Sequence, residues 1–488
     1  MAKVTAIIDI GSNSARMAIF EKTSHLGFHL LYETKSKVRI SENTYMHKGF
    51  LQEEPMNRAI LALKGFLHIA KNHKAKKILC VATSALRDAP NKDIFLKKAR
   101  AIGLNIKVIN GEKEAYFGAV AALNLLPYES GITLDIGGGS TEFALIEKGK
   151  ILHQASLNIG TIRLKELFLD KKDFQGAKNF IEEKLKELPK EYQHKRIFAI
   201  GGTSRALSKA IQKRENYPLD TLHGYEYCFL TQKDFLDSIY SAKQDELRNF
   251  GIKEDRLDCI QGGALIFKLA LEKFHTQEII TSGVGVREGV FLCDILRNLC
   301  HKFPANFNPS IRNIKDRFIK NQEKSKITKK LANRILLAQK KFNLISDDFF
   351  FHLSASAELC DAGTSLNFYE KNHHCSYLLF NGLNYALTHK DRLIISTLAK
   401  YSGKKIPTSL EPYAFLLPPL RTLQILSFFL SVADCLSENP SPLDFTFSFE
   451  KSGEENFILN IKHTDFSYLI REKMQKLILP TYFHIQCP

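Results

Sequence analysis

Residues 9–22 of this 488-residue chain read D-I-G-S-N-S-A-R-M-A-I-F-E-K, and residues 135–148 read D-I-G-G-G-S-T-E-F-A-L-I-E-K. Seven of the fourteen positions are identical. In each copy an apolar run ends on an acid, and a loop of small residues follows. Small residues let backbone N–H groups come close to anionic oxygens such as those of phosphate. The candidate phosphate contacts are Gly11, Ser12, Asn13 and Ser14 in the first loop, and Gly137, Gly138, Gly139, Ser140 and Thr141 in the second. Asp9 and Asp135, at the loop mouths, can bind Mg²⁺ directly or through water, or can cap the turns. Two further small-residue elements follow apolar runs. Gly201-Gly202-Thr203-Ser204 opens a helical stretch, and Ser282 to Gly289 adds Gly283 and Arg287. Neither matches a Walker A motif or a full dinucleotide-binding fingerprint.

A proton-transfer candidate lies in Asn110-Gly111-Glu112-Lys113-Glu114-Ala115, at a strand-to-helix junction. A carboxylate there can accept a proton from an attacking water. The i, i+2 spacing turns Glu112 and Glu114 to different sides of a helix, so only one of them serves the site. The other role open to these acids is a favourable interaction with the helix dipole. Arg87, after Thr83-Ser84-Ala85-Leu86, can clamp a phosphate bidentately or sit on the surface.

Each small-residue loop joins two short apolar runs, Val4–Ile8 to Met17–Phe20 and Gly131–Leu134 to Phe143–Ile146, so each reads as strand, tight loop, strand. The spacing of the copies is too long for a solenoid. It predicts two related α/β subdomains facing each other across a ligand cleft. The intervening pattern alternates. Helices are expected over 56–73, 93–102, 113–125 and 174–188, and from Ser204 and Arg256. Strands are expected over 78–82, 106–109, 196–200 and 278–281. This alternation is an α/β signature. The boundaries expected are 1–125 for the first lobe, 126–303 for the second, 304–439 for an all-α region and 440–488 for a small α/β tail. That tail should hold a hairpin around Ser452–Gly453 and a helix near 468–477.

The chain has 69 Lys plus Arg against 52 Asp plus Glu, a net charge of +17. A hydrophobic share of 44% excludes wholesale disorder. The excess points to an anionic partner or to a solvated basic surface. Residues 301–341 alone carry twelve Lys or Arg and two acids. The stretch 302–341 is therefore a candidate surface for holding a polyanion. It lacks a nucleic-acid motif or interleaved aromatics, so nucleic acid is not the expected partner. Nine scattered Cys fit no disulfide or zinc framework and suit a reducing, cytoplasmic setting. Val4–Ile8 is too short for a secretory signal. The apolar stretch from Tyr413 to Leu436 is broken by Pro418, Pro419, Arg421 and Asp434, so it reads as a buried helix and no membrane partner is expected.

The order of D-I-G-S-N-S, T-S-A-L-R, N-G-E-K-E-A, D-I-G-G-G-S-T-E, G-G-T-S and S-G-V-G-V-R-E-G resembles the exopolyphosphatase/guanosine pentaphosphate phosphohydrolase family over residues 4–300. The resemblance implies duplicated actin-like (RNase H-like) lobes with the active site between them, followed by an all-α HD-like domain. It implies Glu114 as the base that activates water, Arg87 as a phosphate-contacting arginine, Asp135 and Glu142 as Mg²⁺-associated carboxylates, and the two loops as phosphate cradles. The substrates it implies are inorganic polyphosphate, guanosine pentaphosphate (pppGpp, cleaved to ppGpp), or both. A homodimer would extend the basic track. At Leu359-Cys360-Asp361 a Cys stands in the place of the His of an HD pair. His374 matches a downstream His, and Ser402 stands where long members carry another. The other readings are an ATP-dependent small-molecule kinase of the same superfold and a non-catalytic nucleotide sensor.

Overall fold

The computed structural model describes residues 4–243, 245–403, 405–453 and 456–487. It divides into two compact units, one ending at Phe307 and one starting at Asn308.

The first unit opens with β1 (Val4–Ile10), β2 (Ala15–Lys22), β3 (Phe28–Ser36), α1 (Glu53–Asn72), β4 (Lys77–Ala82), α2 (Ser84–Arg87), α3 (Lys92–Ala101), β5 (Ile106–Val108) and α4 (Gly111–Leu125). It continues with β6 (Gly131–Ile136), β7 (Thr141–Glu147), β8 (Lys150–Leu157), α5 (Thr161–Leu167), α6 (Phe174–Lys186), β9 (Arg196–Ile200) and α7 (Gly201–Arg214). It closes with β10 (Glu226–Cys228), α8 (Phe229–Ser241), α9 (Ile260–Lys273), β11 (Glu278–Thr281) and α10 (Val286–Ile295).

The strand orders are β3-β2-β1-β4-β5 and β10-β11-β9-β6-β7-β8. Each sheet has a three-stranded antiparallel meander whose first strand pairs in parallel with the strand after a crossover helix. The duplication seen in the loops therefore extends to whole sheets, both mixed and both covered by helices. The outer strands β3 and β8 were not expected from sequence. β3 alternates half-buried and exposed residues over most of its length, β8 is exposed or half-buried up to Leu157, and many residues of both are polar.

Register fixes the loop acids. Asp9 pairs across the β1–β2 hairpin with Arg16, and Asp135 pairs across β6–β7 with Glu142. Ile8, Ile10, Met17 and Leu63 belong to the core of the first lobe, and Leu134, Phe143, Ile197 and Phe267 to that of the second. Space does not follow a single cut at residue 125. Helix α4 packs on β6, β7 and β8, and Ala119 and Ala122 join Ile146 and Phe198 in one core. Helix α10 returns to the first sheet, where Phe291 stacks on Phe20 with ring centroids 4.4 Å apart. Periodicity reads helices well, but the sheet a helix lands on is a tertiary choice.

The second unit contains α11 (Pro309–Phe318), α12 (Gln322–Ala338), α13 (Phe350–Leu359), α14 (Lys371–Gly382), α15 (His389–Lys400), α16 (Leu420–Leu436), β12 (Thr446–Lys451), β13 (Phe457–Lys462), α17 (Tyr468–Gln475) and β14 (Phe483–Gln486). The sheet order is β12-β13-β14. The sheet and helices share one core, in which Leu336, Phe429, Leu459 and Phe483 meet. No helix among the described residues is long and apolar enough to cross a membrane. Much of the basic segment's charge is met locally. Lys315 and Lys329 bind Glu358, Lys324 binds Asp361, Arg312 binds Asp316, and Lys340 binds Asp347. The charge this segment offers to an outside anion is thus smaller than its count.

The α4–α10 crossing depends on Gly289. A Cβ there would lie 1.9 Å from the Phe117 carbonyl oxygen, so backbone would have to move. Gly289→Ala should lower stability by about 3 kcal/mol in urea unfolding, at the upper end for overpacking.

Candidate active site

The two loops close in the same way. Gly11 N–H donates to the Ser14 carbonyl at 3.1 Å, and Gly137 N–H donates to the Ser140 carbonyl at 2.9 Å. The loops also meet. A Cβ on Gly138 would lie 2.9 Å from Ser12 Cβ, and one on Gly139 would lie 2.6 Å from the Tyr45 hydroxyl. Thr161 and Ile162 N–H groups donate to the Gly137 and Gly138 carbonyls, and Arg163 Nε donates to the Gly139 carbonyl. These bonds tether the second loop to α5. Between the loops lies a cleft of about 130 Å³.

The sequence-predicted residues divide cleanly. Asp9, Gly11, Ser12, Asn13, Ser14, Glu114, Asp135, Gly137, Gly138, Ser140, Gly201, Gly202, Thr203 and Arg287 line this cleft. Gly139, Thr141, Ser204, Gly283, Glu142 and Arg87 are not among its lining residues. Thr141 Oγ1 donates to the Ile159 carbonyl at 2.6 Å, and Ser204 is fully buried. Gly283 N–H donates to His223 Nδ1 at 3.0 Å. Glu142 is 3% exposed and accepts a 2.8 Å bond from the Ser156 hydroxyl. These side chains and turns support the cleft wall.

The acids are held out of water. Burial raises Asp9 to about 6, against the opposing pull of Arg287 and Arg16. Burial also raises Asp135, and takes Glu142 to about 7. Asp9 Oδ1 is buried with no hydrogen-bond partner. Gly201 has a φ of +87°, and a Cβ there would sit 2.2 Å from Asp135 Oδ1. The absence of a side chain at 201 is what makes room for the carboxylate. An unpartnered hard oxygen beside a second buried carboxylate suits a magnesium ion. Among the described residues these acids do not form a three-donor cluster within 4.8 Å. Magnesium commonly takes one or two carboxylates and fills its remaining positions with water and phosphate oxygens. Asp9 and Asp135 could hold it in that way.

Glu114 lies in the first turn of α4, whose cap is Asn110, with Oδ1 accepting from Lys113 N–H at 2.9 Å. It faces the cleft, whereas Glu112 lines a separate outer cavity of about 540 Å³. Burial, reinforced by Glu142, raises Glu114 well above the ordinary carboxylate range, and Arg87 opposes the rise. Arg87 Nη1 donates to Glu114 Oε2 at 3.1 Å, and Nη2 donates to Ser140 Oγ at 3.3 Å. Arg87 also lines the outer cavity, so it stands between the two spaces.

Sequence reasoning missed Arg16, Arg205, Arg256 and Glu288, which also line the cleft. Arg16 occupies the repeat position of Glu142, a charge reversal that was a readable signal. Arg205 donates to the Ser282 and Gly283 carbonyls at 3.2 and 3.4 Å, and burial beside Arg16 and Arg287 lowers it to about 10. Arg256 packs on Gly202, where a Cβ would be 2.1 Å from its Nη2. Its neighbours Asp255 and Asp258 grip Lys35 and Arg39 of the first lobe at 2.9 and 2.5 Å. No local pattern marks Arg256. Arg287 pairs with Glu33 at 2.8 Å, and its Nη1 is buried without a partner. The cleft thus combines a buried base candidate, two bare loops, three further carboxylates and four guanidinium groups. That set can bind a charged phosphate and direct water at it.

The model of the Ppx/GppA phosphatase family matches residues 18–298. A bifunctional 3-dehydroquinate synthase/phosphatase of Fusobacterium nucleatum is 34% identical over 301 residues, 57% of this chain and 44% of the relative. The chain therefore spans less than half the length of that relative. A guanosine-5'-triphosphate,3'-diphosphate pyrophosphatase of Pseudoalteromonas translucida is 26% identical, covering 81% of this chain and 80% of the relative. The crystal structure of the Aquifex aeolicus member of the Ppx/GppA protein family superposes with a TM-score of 0.52 at 28% identity. It covers 61% of this chain and 99% of that one.

The raised acids set a pH dependence. Their folded pKa values exceed the unfolded ones, so the folded state binds more protons between about pH 4 and 7 and stability falls as pH rises through that window. Asp9→Asn removes one such group. In metal-free buffer it should be more stable than the parent at pH 8 by about 2 kcal/mol, and equal to it near pH 4. Urea unfolding at both pH values measures this.

Proposed function

Because the chain belongs to the Ppx/GppA phosphatase family, we propose that it is a phosphohydrolase that releases the terminal phosphate of inorganic polyphosphate, of guanosine pentaphosphate, or of both. The observation that carries this reading is the Glu114 carboxylate, 12% exposed, facing two small-residue loops across an arginine-bearing cleft. Relatives named as a guanosine-5'-triphosphate,3'-diphosphate pyrophosphatase and as a family member from Aquifex support it. The mirrored sheet topology supports reading the lobes as actin-like halves, and the unpaired thiols suit a cytoplasmic setting.

Phosphoryl transfer to water needs alignment and charge neutralisation more than covalent help. Glu114 takes the proton of the attacking water as the water's oxygen closes on phosphorus. Its proton affinity, raised by burial, suits it to accept that proton. Arg87 holds the carboxylate in place and opposes the rise in its proton affinity. Backbone N–H groups of the two loops position the phosphoryl oxygens. Arg16, Arg205, Arg256 and Arg287 offset the charge of the departing phosphate chain. Asp9 and Asp135 would hold a magnesium ion, which would supply Lewis-acid charge there.

Steady-state phosphate release from polyphosphate and from pppGpp, with Mg²⁺, tests the assignment. Turnover of at least one is expected. Acceptor-dependent ADP formation from ATP, with neither substrate hydrolysed, would instead identify a kinase. Because Arg87 lowers the proton affinity of Glu114, Arg87→Ala should move the acid limb of the kcat–pH profile to higher pH. An unmoved limb would separate Arg87 from the base.

A further inference from the structure

The second unit holds its own pocket, about 560 Å³, with Lys371, Ser402, Asp434 and Glu438 in its walls. Cys360, Asp361 and Asp434 present a sulfur and two carboxylate oxygens within 4.8 Å of one another, and Asp434 lines the pocket. A thiolate and two carboxylates, with water from the pocket, would make a four-coordinate metal site. The place is the one where sequence reading set an altered HD motif. What the structure adds is two lysines.

Lys324, from α12, lies 2.7 Å from Asp361 Oδ2 and 3.2 Å from Asp434 Oδ1. Lys371, from α14, lies 2.8 Å from Asp361 Oδ1 and 3.3 Å from Asp434 Oδ2. All four oxygens of the two carboxylates therefore face an ammonium group. Lys324 also reaches Glu438 at 3.4 Å. Both lysine side chains are largely buried, 16% and 24% exposed, as are the aspartates at 20% and 14%. Two positive charges already balance the two negative ones. A divalent ion entering this space would meet two fixed ammonium groups at contact distance, in surroundings where charge repulsion is weakly screened.

We propose that Lys324 and Lys371 fill, with side-chain cations, a position whose remaining donors are those of a metal site, so that this unit binds no divalent ion there until the lysines are removed. The inference stands on the second unit alone and does not depend on the reading of the cleft. It predicts that no metal-dependent hydrolysis occurs at Cys360–Asp361–Asp434.

The full-length protein titrated with Co²⁺ tests it, because cobalt bound to thiolate gives a near-ultraviolet charge-transfer band that carboxylate-bound cobalt in the cleft does not. The parent should show no such band. Lys324→Met/Lys371→Met should gain one equivalent of thiolate-bound Co²⁺, and adding Cys360→Ser should abolish it. A band in the parent that is lost in Cys360→Ser or Asp434→Asn would overturn the proposal. So would a folded double variant that shows no band at saturating Co²⁺. Should the methionine pair fail to fold, Lys324→Gln/Lys371→Gln, which also removes both charges, is titrated in its place with the same outcomes.

Discussion

Asp9, Glu114, Asp135 and Glu142 share one buried region, and the cost of holding their charges away from water is the constraint on which the cleft depends. Burial alone favours protonation of each. The arginines offset this, and they are placed unevenly. The first copy of the repeat sets Arg16 across the hairpin from its aspartate, whereas the second copy sets Glu142 there. Duplication supplied one geometry twice, and a single charge reversal made the halves complementary. One wall balances its own acid. The other retains a surplus of negative charge that Arg87, Arg205 and an incoming cation or proton must meet.

The glycines follow from the same crowding. Gly201 yields its side-chain space to Asp135, Gly202 to Arg256, and Gly138 to Ser12. At 138 and 202 the chain conformation would accept other residues. The neighbours are what exclude them.

This explains what was legible in sequence. The loops were readable because an acid at a strand end followed by small residues is a local pattern, and two copies reinforced it. Spacing alone left Glu112 and Glu114 as alternatives, since it separates the faces of α4 without showing which one meets the cleft; the family resemblance is what singled out Glu114. The arginines Arg205 and Arg256 enter from helix and turn positions far apart in the chain, with no spacing to betray them. The basic stretch 302–341 was visible as a count, but its carboxylate partners, Glu358, Asp361 and Asp434, lie further along the sequence. What reads as a charged surface in one dimension is in large part a set of ion pairs in three. The same process turned an apparent HD remnant into the lysine–aspartate square of the second unit.

The central claim is that Glu114 is the base, and that the surrounding cleft binds phosphate without it. Phosphate release and equilibrium binding, measured on the same Glu114→Gln preparation with polyphosphate and pppGpp, test this most directly. The account predicts that release falls by at least about a thousandfold, in the range of general-base catalysis combined with water positioning, while the dissociation constant stays within a few fold of the parent. Turnover at the parental rate, or loss of binding in step with loss of turnover, would contradict it.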